Sequence, residues 1–295
     1  MPFRHPGPTV LLMSYAPQEK LTDPARPSSG LGRLLLGCVG VLAGSLLIGP
    51  LLLIPILSLL PAGAGDFNSP LGTLIALASF ILMIAALTLV LRFIHNRGLL
   101  TLVGHPSQAL QDFIKTLKGM AILYAVFLVV PGGGEAPAIP NLPFGTWVLL
   151  LAPALIAIFI QVSAEELLFR GYLQSQLAAT ARSPIVWLGV PSFLFGLLHG
   201  WNTDDPQGAL IYIAITFVLG LMLGDLTART GTLGPAIAIH LVNNTMGILI
   251  LGNEGLLDGL ALYVIPVDGP FIPPLWPSLL SLLCVWLTAR IALRV

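Results

Sequence analysis

The sequence predicts an all-α polytopic membrane protein of about eight transmembrane helices with a buried polar site in the cytoplasmic half. Three observations carry that reading. Of 295 residues, 56% are hydrophobic and 9% charged, against about 25% charged in soluble domains. Apolar runs tile the chain from Leu34 to Ala292 and leave no soluble stretch large enough for its own core, so residues 31–295 read as a single transmembrane domain. Lys and Arg, finally, fall on one side of the resulting layout.

Residues 1–30 are rich in Pro, Ser and Gly with scattered Arg and Lys. The run "TVLLM" is too short for the apolar core of a cleaved signal, and the segment reads as a disordered cytoplasmic tail. A spanning helix needs about 20 mostly apolar residues, and Pro, Gly and charge clusters mark where each stops. Spans are expected at 34–60, 72–93, 114–131, 146–170, 184–200, 208–227, 233–252 and 274–291. The fifth and sixth are short and joined by "HGWNTDDPQG", which suits two short helices or a re-entrant pair around a polar cavity.

Eight crossings put both termini on one side. With the N-terminus in the cytoplasm, all 13 Lys and Arg lie at cytoplasmic ends or loops. The opposite loops hold Asp66, Glu135, Asp204, Asp205, Glu254, Asp258 and Asp268 and no positive charge. Both termini are therefore expected in the cytoplasm, and the Ala-, Leu- and Pro-rich composition suggests a bacterial inner membrane. A formal net charge of zero gives no basic surface for nucleic acid, so the expected partners are membrane lipid and whatever substrate reaches the site. Cys38 and Cys284 sit inside apolar spans as small core residues.

Three motifs interrupt the apolar helices of the second half: "EELLFR" (Glu165, Glu166, Arg170), "FGLLH" (Phe195 to His199) and "HLVNN" (His240 to Asn244). The key pairs are four apart, which places both members on one helix face. If the chain turns near Arg182 and Ser183, Glu165 and His199 lie about 25 Å back along their helices and meet at similar depth. His240 lies roughly 10 Å into its own helix after the breaker "TGTLGP". Singly, each has a plain reading: Arg170 an interfacial anchor, either histidine bonded to a backbone carbonyl, Asn243 and Asn244 helix–helix glue, Phe195 packing beneath the histidine. Together, two carboxylates, two imidazoles and a carboxamide mark a functional site, because ionisable groups within a membrane are rare. His5, His95 and His105 receive no role, and Asp225 with Arg229 reads as a structural ion pair.

A carboxylate and an imidazole converging in a dry pocket can hold a water between them, the carboxylate acting as general base. A second His beside an Asn can donate hydrogen bonds to a carbonyl oxygen under attack. That set suits amide hydrolysis. No G-x-S-x-G elbow is present for a serine nucleophile. Zinc is open as a possible cofactor, with His199, His240 and Glu165 as ligands and the other Glu as base, although H-E-x-x-H is absent. A proton relay, in a non-catalytic scaffold or transporter that binds an ion or partner, accounts for Glu and His in a bundle equally well; against it stands the lack of paired broken helices.

"EELLFRG", "FGLLH" and "ARTGTLGPAIAIHLVNN" resemble, in order and spacing over about residues 145–250, the motifs of the CPBP family of CAAX proteases and bacteriocin-processing proteins, also called Abi. The resemblance implies an intramembrane endopeptidase of the glutamic type, needing no metal, with its site opening to the cytosol. By position it makes Glu165 the general base, His199 its partner on the water, and His240 with Asn244 the oxyanion site. Glu166 and Arg170 then hold the architecture. The first 140 residues match no motif.

Overall fold

The computed structural model describes residues 14–61, 63–129, 138–203, 205–266 and 272–295. Among these, eight helical rods lie where eight spans were expected: α1 Leu31–Leu57, α2 Pro70–Phe93, α3 Pro106–Val129, α4 Phe144–Thr180, α5 Pro184–His199, α6 Pro206–Thr230, α7 Gly234–Ile250 and α8 Leu275–Leu293. Six are long and apolar enough to cross a membrane: α1, α2, α4, α5 with its final turn to Asn202, α6 and α8. The two others differ for visible reasons. Asp112, Lys115 and Lys118 lie within the first thirteen residues of α3, and α7 is short.

Local chemistry sets the ends. Ser69 caps α2, accepting from the Gly72 amide at 3.1 Å, and Asp205 caps α6, accepting from Gly208 at 2.6 Å. Proline occupies a first-turn position in α2, α5 and α6, where its missing N–H costs nothing. Gly231 ends α6 in the left-handed region at φ 69°, and a tight turn over Gly200–Asn202 follows α5. In α1 the helix widens into a π-turn over Gly44–Ile48 just before Pro50, whose ring crowds the carbonyl four residues back.

The rod α4 has 37 residues, about 55 Å at 1.5 Å each, well beyond an apolar layer of about 30 Å. Its last third is wrapped by protein, and residues Leu167–Leu173 form a second π-turn. Gly171 there approaches Leu102 so closely that a Cβ would sit 2.8 Å from the Leu102 Cβ. The main core surrounds this stretch: Leu87, Leu91, Leu102, Tyr172, Phe195, Leu223 and Leu233 are buried together. Outward-facing Leu and Ile on α1, α2 and α5 stay exposed, as a lipid-facing surface requires.

The disordered tail expected over residues 1–30 is corrected from Ser14 onward. Ala16–Ser28 forms consecutive helical turns, with Leu21 and Ala25 fully buried and Gln18, Thr22 and Ser28 nearly so. Leu21 and Ala25 stand one helical turn apart and supply an apolar anchor that the Pro-rich composition masks. Tyr15 donates to Asp225 Oδ1 at 2.6 Å, Trp286 of α8 donates to Oδ2 at 2.9 Å, and Arg229 Nε reaches both oxygens at 2.9 Å. The expected Asp225–Arg229 pair thus ties the N-terminal segment and α8 to α6. His95, given no role from sequence, is buried: Gln176 Nε2 lies 3.1 Å and Ser28 Oγ 3.1 Å from its Nδ1, and Tyr172 OH is 2.8 Å from its Nε2.

At the opposite end a small sheet in the order β1 (Ile139–Pro140), β3 (Tyr263–Ile265), β2 (Leu251–Asn253) pairs antiparallel on one side of β3 and parallel on the other. Cys38 and Cys284 are free and partly buried. Arg4, His5, Glu135, Asp204 and Asp268 lie outside the described residues.

Candidate active site

The three motifs converge where α4, α5 and α7 face one another. From α4 come Glu165 (9% exposed), Glu166 (0%) and Arg170 (1%), and from α7 comes His240 (2%). Four-residue spacing on α4 places Glu166 beside Arg170, with Nη1 donating to Glu166 Oε1 at 3.1 Å. The same Oε1 accepts from His240 Nδ1–H at 2.7 Å. His240 then presents Nε2 to Glu165 Oε2 at 3.6 Å, too long for a direct hydrogen bond. One imidazole therefore stands between both carboxylates.

Aromatic rings fix these groups. Phe195 of α5 is buried, with the Arg170 guanidinium 4.3 Å over its face, the His240 ring edge-on at 5.7 Å, the His199 ring at 4.4 Å and Phe169 at 5.2 Å. Phe195, expected beneath one histidine, packs against both histidines and the arginine. His199 Nδ1 lies 2.8 Å from the Phe195 carbonyl. A carbonyl only accepts, so Nδ1 carries the proton and Nε2 keeps its lone pair. His199 is half-buried, lies within electrostatic reach of Glu165, His240 and Arg170, and makes no direct bond to Glu165.

Asn244 is brought in through a residue that sequence reasoning missed. Its Nδ2 donates to Gln161 Oε1 at 2.8 Å, and Gln161 Nε2 donates to Glu165 Oε1 at 2.6 Å. Asn243, expected as helix glue, is exposed and donates to Asn244 Oδ1 at 3.3 Å. Gln161 stands one turn before Glu165 in "QVSAE"; that spacing is the only sequence signal, and a lone glutamine in an apolar run is weak.

Glu165 Oε2, Glu166 Oε2 and Arg170 Nη2 are buried without a protein hydrogen bond. Such atoms are costly unless something hydrogen-bonds them; Glu165 Oε2 faces His240 of α7, and Arg170 Nη2 lies beside Gly220 of α6. Two carboxylates, one guanidinium and one imidazole balance in charge when a single proton is shared among the acids and His240. That is a setting for proton transfer. Among the described residues no three His, Cys, Asp or Glu side chains are disposed to hold one metal ion, so His199, His240 and Glu165 do not form a ready zinc set in this arrangement.

Residues 145–246 match the model of the family described as type II CAAX prenyl endopeptidase Rce1-like, in agreement with the resemblance carried by the three motifs. Among curated proteins, the uncharacterized protein YyaK of Bacillus subtilis (strain 168) is 34% identical over 99 residues. That alignment takes in 33% of this chain and 33% of YyaK, so the chain spans about a third of the length of the relative it matches. No solved structure matches the chain.

Proposed function

We propose that the protein is an intramembrane endopeptidase that hydrolyses a peptide bond of a peptide or membrane-protein substrate with a water activated by Glu165 and His199. The observation that carries the reading is the meeting of all three motifs in one buried cluster, with the free Oε2 of Glu165 facing His240 Nε2 at 3.6 Å. The matched family supports protease chemistry for the same segment.

In this reading a water lies between Glu165 Oε2 and His199 Nε2. Glu165 takes one of its protons as the oxygen attacks the carbonyl carbon. Charge then builds on the carbonyl oxygen, where Asn244 Nδ2 donates through a second N–H beyond the one given to Gln161, and His240, carrying a second proton as imidazolium, donates from Nε2 while Nδ1–H stays on Glu166. The proton on Glu165 passes to the departing amine nitrogen as the C–N bond breaks, leaving an acid and an amine. Glu166 and Arg170 hold His240 from its Nδ1 side and take no part in bond-making.

The distribution of Lys and Arg supports an inner-membrane protein with both termini in the cytoplasm and the site in the cytoplasmic half. The test is direct: Glu165→Ala or His199→Ala should abolish the appearance of a cleaved fragment in membrane proteomes while insertion and thermal unfolding stay near wild type. Full activity in either variant removes that residue from the mechanism. Asn244→Ala should lower kcat about 10²–10³-fold, the usual loss for one oxyanion donor. Stoichiometric zinc that activity requires, measured by elemental analysis, would overturn the metal-free scheme. Ion flux in liposomes without proteolysis would favour a transporter.

A further inference from the structure

We infer that Gln161 is a positioning residue, the link that fixes the base Glu165 and the oxyanion donor Asn244 relative to one another; the inference rests on the peptidase reading above. The hydrogen bonds run in one direction from the surface inward. Asn243 donates to Asn244, Asn244 to Gln161, and Gln161 to Glu165, at 3.3, 2.8 and 2.6 Å. A carboxamide suits the hub because it both accepts and donates, and Gln161 uses one function on each partner. It is 6% exposed, so water does not substitute freely for either contact.

Two consequences follow from the geometry. The first concerns Glu165. Its Oε1 accepts from Gln161, while Oε2, on the side facing His240, has no protein hydrogen bond and is the oxygen left unpartnered for water. The second concerns Asn244, whose amide has two possible orientations about its last torsion. The Gln161 carbonyl accepts only from N–H, so it turns Nδ2 inward and Oδ1 toward Asn243. Without Gln161 the amide is free to present its oxygen to a developing oxyanion, which would repel it. Gln161 and Glu165 share one face of α4, while Asn244 belongs to α7, so the link also sets the register between the two helices that carry the chemistry.

Gln161→Met keeps side-chain length and removes both polar functions in apolar surroundings. It should lower kcat about 10–100-fold with KM changed less than about twofold, since a misplacement of roughly 1 Å costs about 10²-fold and substrate contacts are untouched. Combined with Asn244→Ala, the loss should be far smaller than the product of the two single losses, because both act on one link. A spectroscopic arm needs no turnover. In side-chain 15N-labelled protein, the Gln161 amide protons should move upfield on Glu165→Ala, which removes the carboxylate acceptor. A rise in KM matching the fall in kcat, fully multiplicative losses, or a Gln161 amide indifferent to Glu165→Ala would each overturn the inference. A wild-type protein that cleaves no peptide while the amide still responds would instead overturn the peptidase reading and leave the link standing.

Discussion

The Arg170 guanidinium shows how a charge is tolerated in this interior. It is 1% exposed, pairs with Glu166 at 3.1 Å and lies 4.3 Å over the Phe195 ring. The ring face adds about 2 kcal/mol when such a cation is desolvated. Breaking a buried pair from one side leaves the other charge uncompensated, at about 3–5 kcal/mol. Arg170→Ala should therefore lower the unfolding midpoint strongly in thermal scans of detergent-solubilised protein. Arg170→Lys should recover little of it, since an ammonium does not offer a planar face to the ring while bonding the carboxylate. This pair was legible in the sequence because four-residue spacing on an apolar helix is unambiguous. Gln161 and His95 were not legible. The glutamine's partner across the helices is 83 residues away, and the histidine's partners are 67 to 81 residues away, so no local pattern announces them.

At the scale of elements, the N-terminal turns act as a cover over the junction of α6 and α7. Gly231 marks the point of contact: its φ is 69°, and a Cβ there would sit 2.3 Å from the Pro17 carbonyl oxygen. Gly231→Ala should cost at least about 1 kcal/mol from the left-handed backbone alone, and proteolysis within 14–28 should become faster. The cover should also respond to acid through His95. Burial holds its pKa below the ordinary 6.5, with Arg97 and Arg33 adding repulsion and Ser28 opposing them. Tyr172 OH and the Gln176 amide complete its surroundings. The folded state thus binds fewer protons than the unfolded one below about pH 6.5, so stability is fully present above that value and lost as pH falls. The slope approaches about 1.4 kcal/mol per pH unit for one such group. The hydrogen-exchange protection factors of residues 14–28, taken against the intrinsic rate at each pH, should fall between about pH 6.5 and 5, and His95→Gln should flatten the dependence. Composition misread this segment because Pro17, Pro24 and Pro27 punctuate it, while its burial depends on only a few anchors such as Leu21 and Ala25.

For the whole molecule, apolar run length located the eight rods, of which six are long and apolar enough to cross a membrane, as expected where lipid leaves the backbone few alternatives to the helix. Their ends were less legible: α3 begins at Pro106 and α4 continues to Thr180, well past the apolar stretches, because protein contacts take over where lipid stops. The charge layout makes a further prediction. With Cys38 and Cys284 replaced by Ala, a membrane-impermeant maleimide should label Glu254→Cys in intact cells and Arg182→Cys only after permeabilisation; the reverse pattern would invert the orientation.

The three short strands have a mechanical consequence. β1 lies four residues ahead of α4 and β2 begins one residue after α7, and both are stitched to β3. The two helices that bear Glu165 and Asn244 are thereby pinned together like caliper arms at their pivot. Any breathing between them widens away from that pivot, and in the proposed peptidase reading a gap for substrate would open from the far side of the caliper.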